Sequence, residues 1–464
     1  VRSAHAAAIR LVLRPDRSRK HAIRIVIVGA GVAGSILARS LSRLDGADVI
    51  CLERVGAEEH HESGTGLNIG PNGVKALTAH APEVARQIAE ASFPWRRWKV
   101  SLTDGTVLFD LPLARVADHD GWRIRWSELY RLLRQAAAPA IVYGSTIARV
   151  TPSEGNAGRT CIAWTDASGA ERRLGDVDLL VAADGRYSEV RLALAGAPVV
   201  RHVGVAISRV LVPDTSGGLI DEYEQWFNGP NRLLGFRVPP DHVYATCAFP
   251  IPADAPIPKG LKRPDAIRRL FSPPSGTLSP SAQWMLETIC THAGELHWAR
   301  MQEHDLLYAD PHHNALYLGD AAHGMVPTLA QGATQAIEDA TVASDIIAQQ
   351  WARGSRDPRR WLRLIAGARL ERMRFAMRFS LEATDTMLSE PAGDGPLAAT
   401  VARDTDVGRE RSDTVAGADS VAGSLQQRHQ EKSEPAFLSK LRRLYCDVAG
   451  GGGPTGGMRP PTEG

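Results

Sequence analysis

The chain of 464 residues has no uninterrupted apolar run approaching the roughly 18 residues of a bilayer-spanning helix, which argues against a membrane span. Cysteine is scarce: Cys51, Cys161, Cys247, Cys290 and Cys446 are odd in number, scattered and never spaced C-x-x-C. That pattern argues against a disulfide framework or a thiolate metal site and fits a reducing cytoplasm. Net charge is also small, +2 from 54 Lys+Arg against 52 Asp+Glu, with no dominant basic block in the folded part. Nucleic acid and anionic membrane therefore have little electrostatic support as partners. No pair of histidines has metal-ligand company, so no metal is expected.

What is present is ordinary globular composition, 44% hydrophobic and 23% charged, with length for two or three domains at about 150 residues each. Residues 1–22 carry Arg2, Arg10, Arg14, Arg17, Arg19 and Lys20 against Asp16, with neither an apolar core nor a clear small-residue cleavage site. A disordered extension is expected there, an over-long start or a transit peptide being the alternatives. The run Ile23–Val28 reads as a strand and ends in Gly29-Ala30-Gly31-Val32-Ala33-Gly34. Ile36, Leu37, Leu41 and Leu44 then recur at helical spacing, and 48–52 reads as a second strand ending at Glu53, which makes a βαβ unit.

In such a turn Gly29 permits the tight bend, Gly31 lets the backbone approach a pyrophosphate, and Gly34 allows helix to pack closely on strand. The phosphates would sit at the positive end of the helix. Glu53, nineteen residues beyond Gly34, can accept hydrogen bonds from both ribose hydroxyls, as in FAD or NAD. Residues 95–112 read as a hairpin around Asp104-Gly105. Trp126–Ala138 reads as a helix, 177–183 as a buried strand, 201–260 as short strands, and 315–318 as another buried strand before a long amphipathic helix at 333–347. Residues 392–435 have few large apolar groups and cannot offset the entropy of ordering, while 437–448 could form a short docking helix.

Two later segments follow strands at further turns: Asp184-Gly185-Arg186-Tyr187-Ser188-Glu189-Val190-Arg191 and Gly319-Asp320-Ala321-Ala322-His323-Gly324-Met325-Val326-Pro327. With the glycine turn, in this order and spacing, they resemble the single-component (group A) para-hydroxybenzoate-hydroxylase-like FAD-dependent aromatic monooxygenases over roughly residues 23–350. The resemblance implies an α/β fold: a Rossmann-type FAD-binding domain (GR2-like, the para-hydroxybenzoate hydroxylase fold) with an inserted mixed β-sheet substrate domain and C-terminal helices. The expected layout is a discontinuous FAD-binding domain at 23–94, 115–200 and 296–355, and a substrate sheet domain at 95–114 and 201–295. A C-terminal helix at 356–391 and a largely disordered tail at 392–464 would follow.

The resemblance further implies non-covalent FAD held by Gly29, Gly31, Gly34, Glu53 with Arg54, and Arg125. Asp184 and Gly185 would lie near the pyrophosphate and the path of NADH or NADPH, with Arg191 fixing the loop, and Asp320 would bind the ribityl hydroxyls. Backbone amides at Gln331, Gly332 and Ala333 would face the flavin N1/C2 edge. Relatives usually read G-Q-G where this chain has Ala330-Gln331-Gly332, so a positive φ at 330 would carry strain. Pro327 would place its carbonyl beside the oxygen-reactive flavin carbon.

His323 is a candidate proton relay or a structural hydrogen-bonding residue. His60 and His61 precede the loop Gly64–Asn72, which resembles the family's flavin-side segment, and read as solvated; His304, His312 and His313 are expected at the surface. Trp226 and Phe236 could wall an aromatic pocket and Arg237 could hold a substrate carboxylate, or all three could be sheet packing.

The implied reaction is reduction of FAD by NAD(P)H, formation of a C4a-hydroperoxyflavin with O2, and hydroxylation of a small aromatic or heteroaromatic, acidic or phenolic molecule in the cytoplasm by a monomer or homodimer. Salicylate, hydroxybenzoate, anthranilate and hydroxypyridine-carboxylate types stay open. Rivals are an FAD-dependent reductase or dehydrogenase without oxygen insertion and a non-enzymatic flavin-binding interaction module. A flavin halogenase is disfavoured, because Trp95-Arg96-Arg97-Trp98 opens the hairpin and is not W-x-W-x-I-P.

Overall fold

β-Branched residues on both faces of Ile23–Val28 require burial on both faces, and the strand lies inside a six-stranded sheet. The computed structural model describes residues 22–57, 65–155, 158–384 and 435–448. The sheet runs Ala309–Asp310, Ala315–Tyr317, Leu179–Ala182, Ile23–Val28, Ala47–Glu53, Ile141–Tyr143, parallel except at its first pair. The helix after the glycine turn, Val32–Leu41, packs on it together with Trp126–Ala137 and the long helix Gly332–Ala352. The chain thus completes this sheet only with a strand nearly 300 residues after the first.

A seven-stranded sheet holds the rest of the site. Its order is His297–His304, Val200–Pro213, His242–Pro250, Asn231–Val238, Tyr223–Asn228, Arg97–Leu102, Val107–Pro112. The hairpin around Gly105, which adopts φ +100°, is its far edge and joins the other five strands by a parallel pairing of Arg97–Leu102 with Tyr223–Asn228. One face is covered by two helices that periodicity did not reveal, Pro264–Phe271 and Pro280–Thr291. Phe271, Met285, Leu286 and Ile289 pack there with Trp226 and Leu233. The opposite face is left to line a groove against the first sheet.

A three-stranded sheet at 146–177 also went unread in the sequence. Pro358–Glu382 is a continuous helix behind Gly332–Ala352. Where 437–448 reads as a possible short docking helix, Pro435–Cys446 forms a helix that buries Leu441, Leu444 and Tyr445 completely against the hairpin side of the molecule. No helix among the described residues is long and apolar enough to cross a membrane.

Candidate active site

The glycine turn is shaped by contact. Gly29 adopts φ +95°, and a Cβ there would overlap the Ala183 carbonyl oxygen, while one at Gly34 would overlap the Gly29 carbonyl oxygen. Both positions require glycine; Gly31 instead opens onto the groove. Glu53 ends its strand nearly buried, one oxygen accepting from the Ala30 amide at 2.6 Å and the other from Val55 at 3.1 Å. Arg134 lies 3.5 Å from that carboxylate and also donates to the Ala30 carbonyl at 2.9 Å. Glu53 therefore braces the turn as well as ending the strand. Arg54 is exposed and does not line the groove.

Of the two arginines before Trp126, Arg123 is committed to backbone carbonyls at Pro94 and Asp221. The Arg125 Nε is buried without a partner, as are Asp184 Oδ1 and Asn68 Oδ1. Burial raises the Asp184 carboxyl above its ordinary range, although Ser188 and the Val190 amide oppose this. Buried polar atoms are rarely left unpaired unless a ligand or water completes them.

The groove runs from Gly31–Ala33, Trp126 and Tyr130 past Gly185, Arg186 and Asp320 to Pro327, Ala330, Gly332 and Ala333. Asp320 follows Gly319, which adopts φ +58°, and its half-exposed carboxylate has Arg186 at 4.0 Å. Ala330 adopts φ +55°, a left-handed conformation in which its Cβ carries strain. Its amide donates to the Pro327 carbonyl at 3.0 Å, closing a tight turn immediately before the long helix. Gln331 is fully buried, so its side chain serves the interior while its backbone opens the helix.

At the other end of the groove stand Ile207, Arg209, Tyr223, Arg232, Leu234, Phe236, Tyr244 and Thr246. Phe236 lies between two phenols, its ring centroid 5.9 Å from Tyr223 and 4.9 Å from Tyr244. Arg232 is 2% exposed, its Nε has no partner, and no ion pair reaches it among the described residues. Burial lowers its pKa; burial likewise pushes Tyr223 up to about 12 and raises Tyr244.

Of the three substrate candidates read from sequence, only Phe236 lines this groove. Trp226 points into the helix-covered core on the other face. Arg237 pairs with Asp214 at 2.7 Å and lies over Phe93, because adjacent strand residues face opposite ways. The same alternation puts Arg232, Leu234 and Phe236 on the groove side together, a signal available in the sequence.

His323 does not line the groove. It is wholly buried, Nε2 2.6 Å from Asp339, a carboxylate that also accepts from Gly319 N, Tyr308 OH and Arg369 Nε. Burial alone would raise Asp339, but the charges of His323 and Arg369 outweigh it and hold the carboxyl well below its usual range. This is a bracing role. His304, expected at the surface, is buried as well, Nε2 2.9 Å from the Asp320 carbonyl and accepting from Gly324 N. Arg191 fixes the same loop through the Ala321 and Asp305 carbonyls, and its buried guanidinium pairs with Asp305 at 2.8 Å. His312 is exposed and His313 pairs with Asp310; His60, His61 and Gly64 lie outside the described residues. Among the described residues no group of three or more His, Cys, Asp or Glu is placed to hold a metal ion.

The groove fits FAD on its own chemistry. A glycine turn open at Gly31 meets a helix N-terminus, and a polar middle carries Asp320. Arg125 and Asp184, the chain neighbours of the lining residues Trp126 and Gly185, leave Nε and Oδ1 unpartnered among the described residues, and a second helix N-terminus at Gln331–Ala333 flanks the aromatic end.

No protein-family model matches the chain. It is 29% identical over 377 residues to a 3-amino-4-hydroxybenzoate 2-monooxygenase of Streptomyces platensis, covering 78% of this chain and 88% of that protein. It is 26% identical over 332 residues to the 6-hydroxynicotinate 3-monooxygenase of Pseudomonas fluorescens, covering 68% and 80%. In fold it matches Klebsiella pneumoniae HpxO, solved with FAD and uric acid, at a TM-score of 0.70 and 20% identity over 93% of this chain and 98% of that one.

Proposed function

Because the chain belongs to the para-hydroxybenzoate-hydroxylase-like, FAD-dependent aromatic monooxygenases, we propose that it uses NADH or NADPH and O2 to hydroxylate a small aromatic or heteroaromatic acid. The observation that carries the acidic substrate is Arg232, a buried guanidinium in an aromatic-walled pocket with no carboxylate among the described residues to balance it. An unpaired buried charge is costly, and a bound anion would supply the missing partner. Relatives named for aminohydroxybenzoate and hydroxynicotinate add support.

FAD, when bound, would carry the reducing equivalents of NAD(P)H to O2 and supply the oxygen chemistry. Gly29, Gly31, Gly34, Glu53 and Arg125 would hold its adenosine and diphosphate, Asp184, Gly185 and Asp320 its middle. The opening amides of the long helix at Gln331, Gly332 and Ala333 have no helical acceptor and would stabilise negative charge on the ring. Pro327 and Ala330 shape the wall beside it.

Tyr223 and Tyr244 stay protonated at neutral pH, so they donate hydrogen bonds to the substrate rather than take its proton. No histidine lines the groove among the described residues. Ring activation instead falls to Arg232 and Arg209, whose positive charge lowers the pKa of a ring hydroxyl so that its proton passes to solvent as the substrate binds. Phe236, Leu234 and Ile207 exclude water from the reacting carbon. All five cysteines are unpaired, in keeping with a reducing cytoplasm.

A panel of aromatic and heteroaromatic acids with their matching amides tests the reading. Acids should stimulate NAD(P)H oxidation and yield product labelled from 18O2. Equal stimulation by the uncharged amides would overturn the acidic substrate, and oxidation without label would overturn oxygen insertion.

A further inference from the structure

The helix Pro435–Cys446 reaches both ends of the groove without lining it. On the substrate side its Tyr445 is wholly buried, the hydroxyl unpartnered among the described residues, in the same packed cluster as Tyr223. Phe437 lies 6.2 Å from Trp98, whose ring is in turn 6.3 Å from Tyr223.

On the flavin side the helix is held by its last carbonyls. Arg372 donates to Arg443 O at 3.0 Å and to Leu444 O at 2.5 Å, and Lys75 donates to Cys446 O at 3.0 Å. Cations at the end of a helix satisfy carbonyls that have no helical donor.

Arg372 does not stop there. The same guanidinium donates to both oxygens of the buried Glu338, at 3.1 and 2.9 Å. Glu338 accepts from Asn72 Nδ2 at 2.6 Å, and that amide also donates to Gln331 Oε1 at 3.0 Å. Gln331 begins the long helix whose first residues, Gly332 and Ala333, line the groove. An unbroken set of hydrogen bonds, charge-assisted as far as Asn72, therefore leads from the carbonyls of Pro435–Cys446 to the side chain of the residue that opens the long helix.

We propose that docking of the helix Pro435–Cys446 sets the affinity for FAD, with Arg372 as the positioning residue that conveys it to Gln331 through Glu338 and Asn72. This rests on the flavin-binding reading above. Without the helix, Arg372 loses its two carbonyl acceptors and keeps only its bonds to Glu338, so its position is less fixed. Glu338 then holds Asn72, and Asn72 holds Gln331, in a less fixed geometry.

The test is titration of apoprotein with FAD, read by quenching of flavin fluorescence, beside the thermal midpoint of the apoprotein. Four proteins accompany the wild type: Arg372→Gln, Arg372→Lys, a chain ending after Glu434, and that shortened chain carrying Arg372→Gln. Either single loss should weaken FAD binding about tenfold, and the combination should be no weaker than the worse of the two. Lysine should recover part of the loss. FAD affinity unchanged in Arg372→Gln, or penalties that multiply in the combined protein, would overturn the proposal even if the thermal midpoint falls. Should the shortened chain fail to fold, the two Arg372 variants of the full chain decide. A wild-type chain that binds no FAD would instead end the flavin reading itself.

Discussion

Arg369 and Arg232 are both buried, and they differ in every other respect. Arg369, behind the long helix, donates to Asp339, Glu338 and Gln335 at 2.6 to 2.8 Å, and nearby negative groups hold its pKa up against burial. Arg232, in the groove proposed to take the substrate, has no ion-pair partner among the described residues, and burial pulls its pKa down. A buried charge with a full set of acceptors is part of the scaffold. One kept waiting for an acceptor is a receptor, and it remains there at a cost to stability.

The sharpest way to break this contrast is Arg369→Leu. It strands the Glu338 and Asp339 carboxylates, and a loss of about 3–5 kcal/mol is expected in chemical denaturation. Arg232→Gln should do the reverse. KM for an aromatic carboxylate rises about 100-fold while the thermal midpoint stays level or climbs, because an unbalanced charge has been removed. A fall in stability as large as that of Arg369→Leu would erase the distinction.

Acid sharpens it further. Burial pushes Glu338 upward, but Arg372 and Arg369 outweigh this and bring it from 4.5 to about 2. A carboxyl depressed by folding contributes stability above its unfolded value and loses it as pH falls toward the folded one. Wild-type stability should therefore drop between pH 4.5 and about 2, and Glu338→Gln should flatten that slope. The smallest effect is expected from Ala330→Gly, which frees the left-handed φ of +55° and should gain about 1 kcal/mol by thermal melting.

The cofactor end was legible because its signals are local. Gly29, Gly34, Glu53 and Asp320 each sit at a strand end beside a turn, and the spacing of apolar residues announces those strands. Even the departure at Ala330 could be read as a conditional strain. The substrate end depends on which face of a sheet meets the groove, and that is decided by the helices Pro264–Phe271 and Pro280–Thr291, which claim Trp226 and Leu233 for the opposite side. Arg237 was a reasonable choice by residue type and wrong by parity; Arg232 shares the parity of Phe236. Between the two readings of His323, proton relay and structural hydrogen-bonding residue, the motif could not choose. The partner of His323, Asp339, lies sixteen residues away on the long helix, and nothing in the motif itself indicates that both would be sealed from solvent.

The order of strands in the six-stranded sheet also bears on biosynthesis. Ile23–Val28 pairs on one side with Leu179–Ala182, which in turn waits for Ala315–Tyr317. At about 5–20 residues per second, a ribosome needs roughly 15–60 s to deliver that last strand. Throughout that interval the nascent chain exposes an unpaired apolar edge, so chaperone supply during translation, more than the stability of the finished enzyme, should set how much is recovered on overexpression.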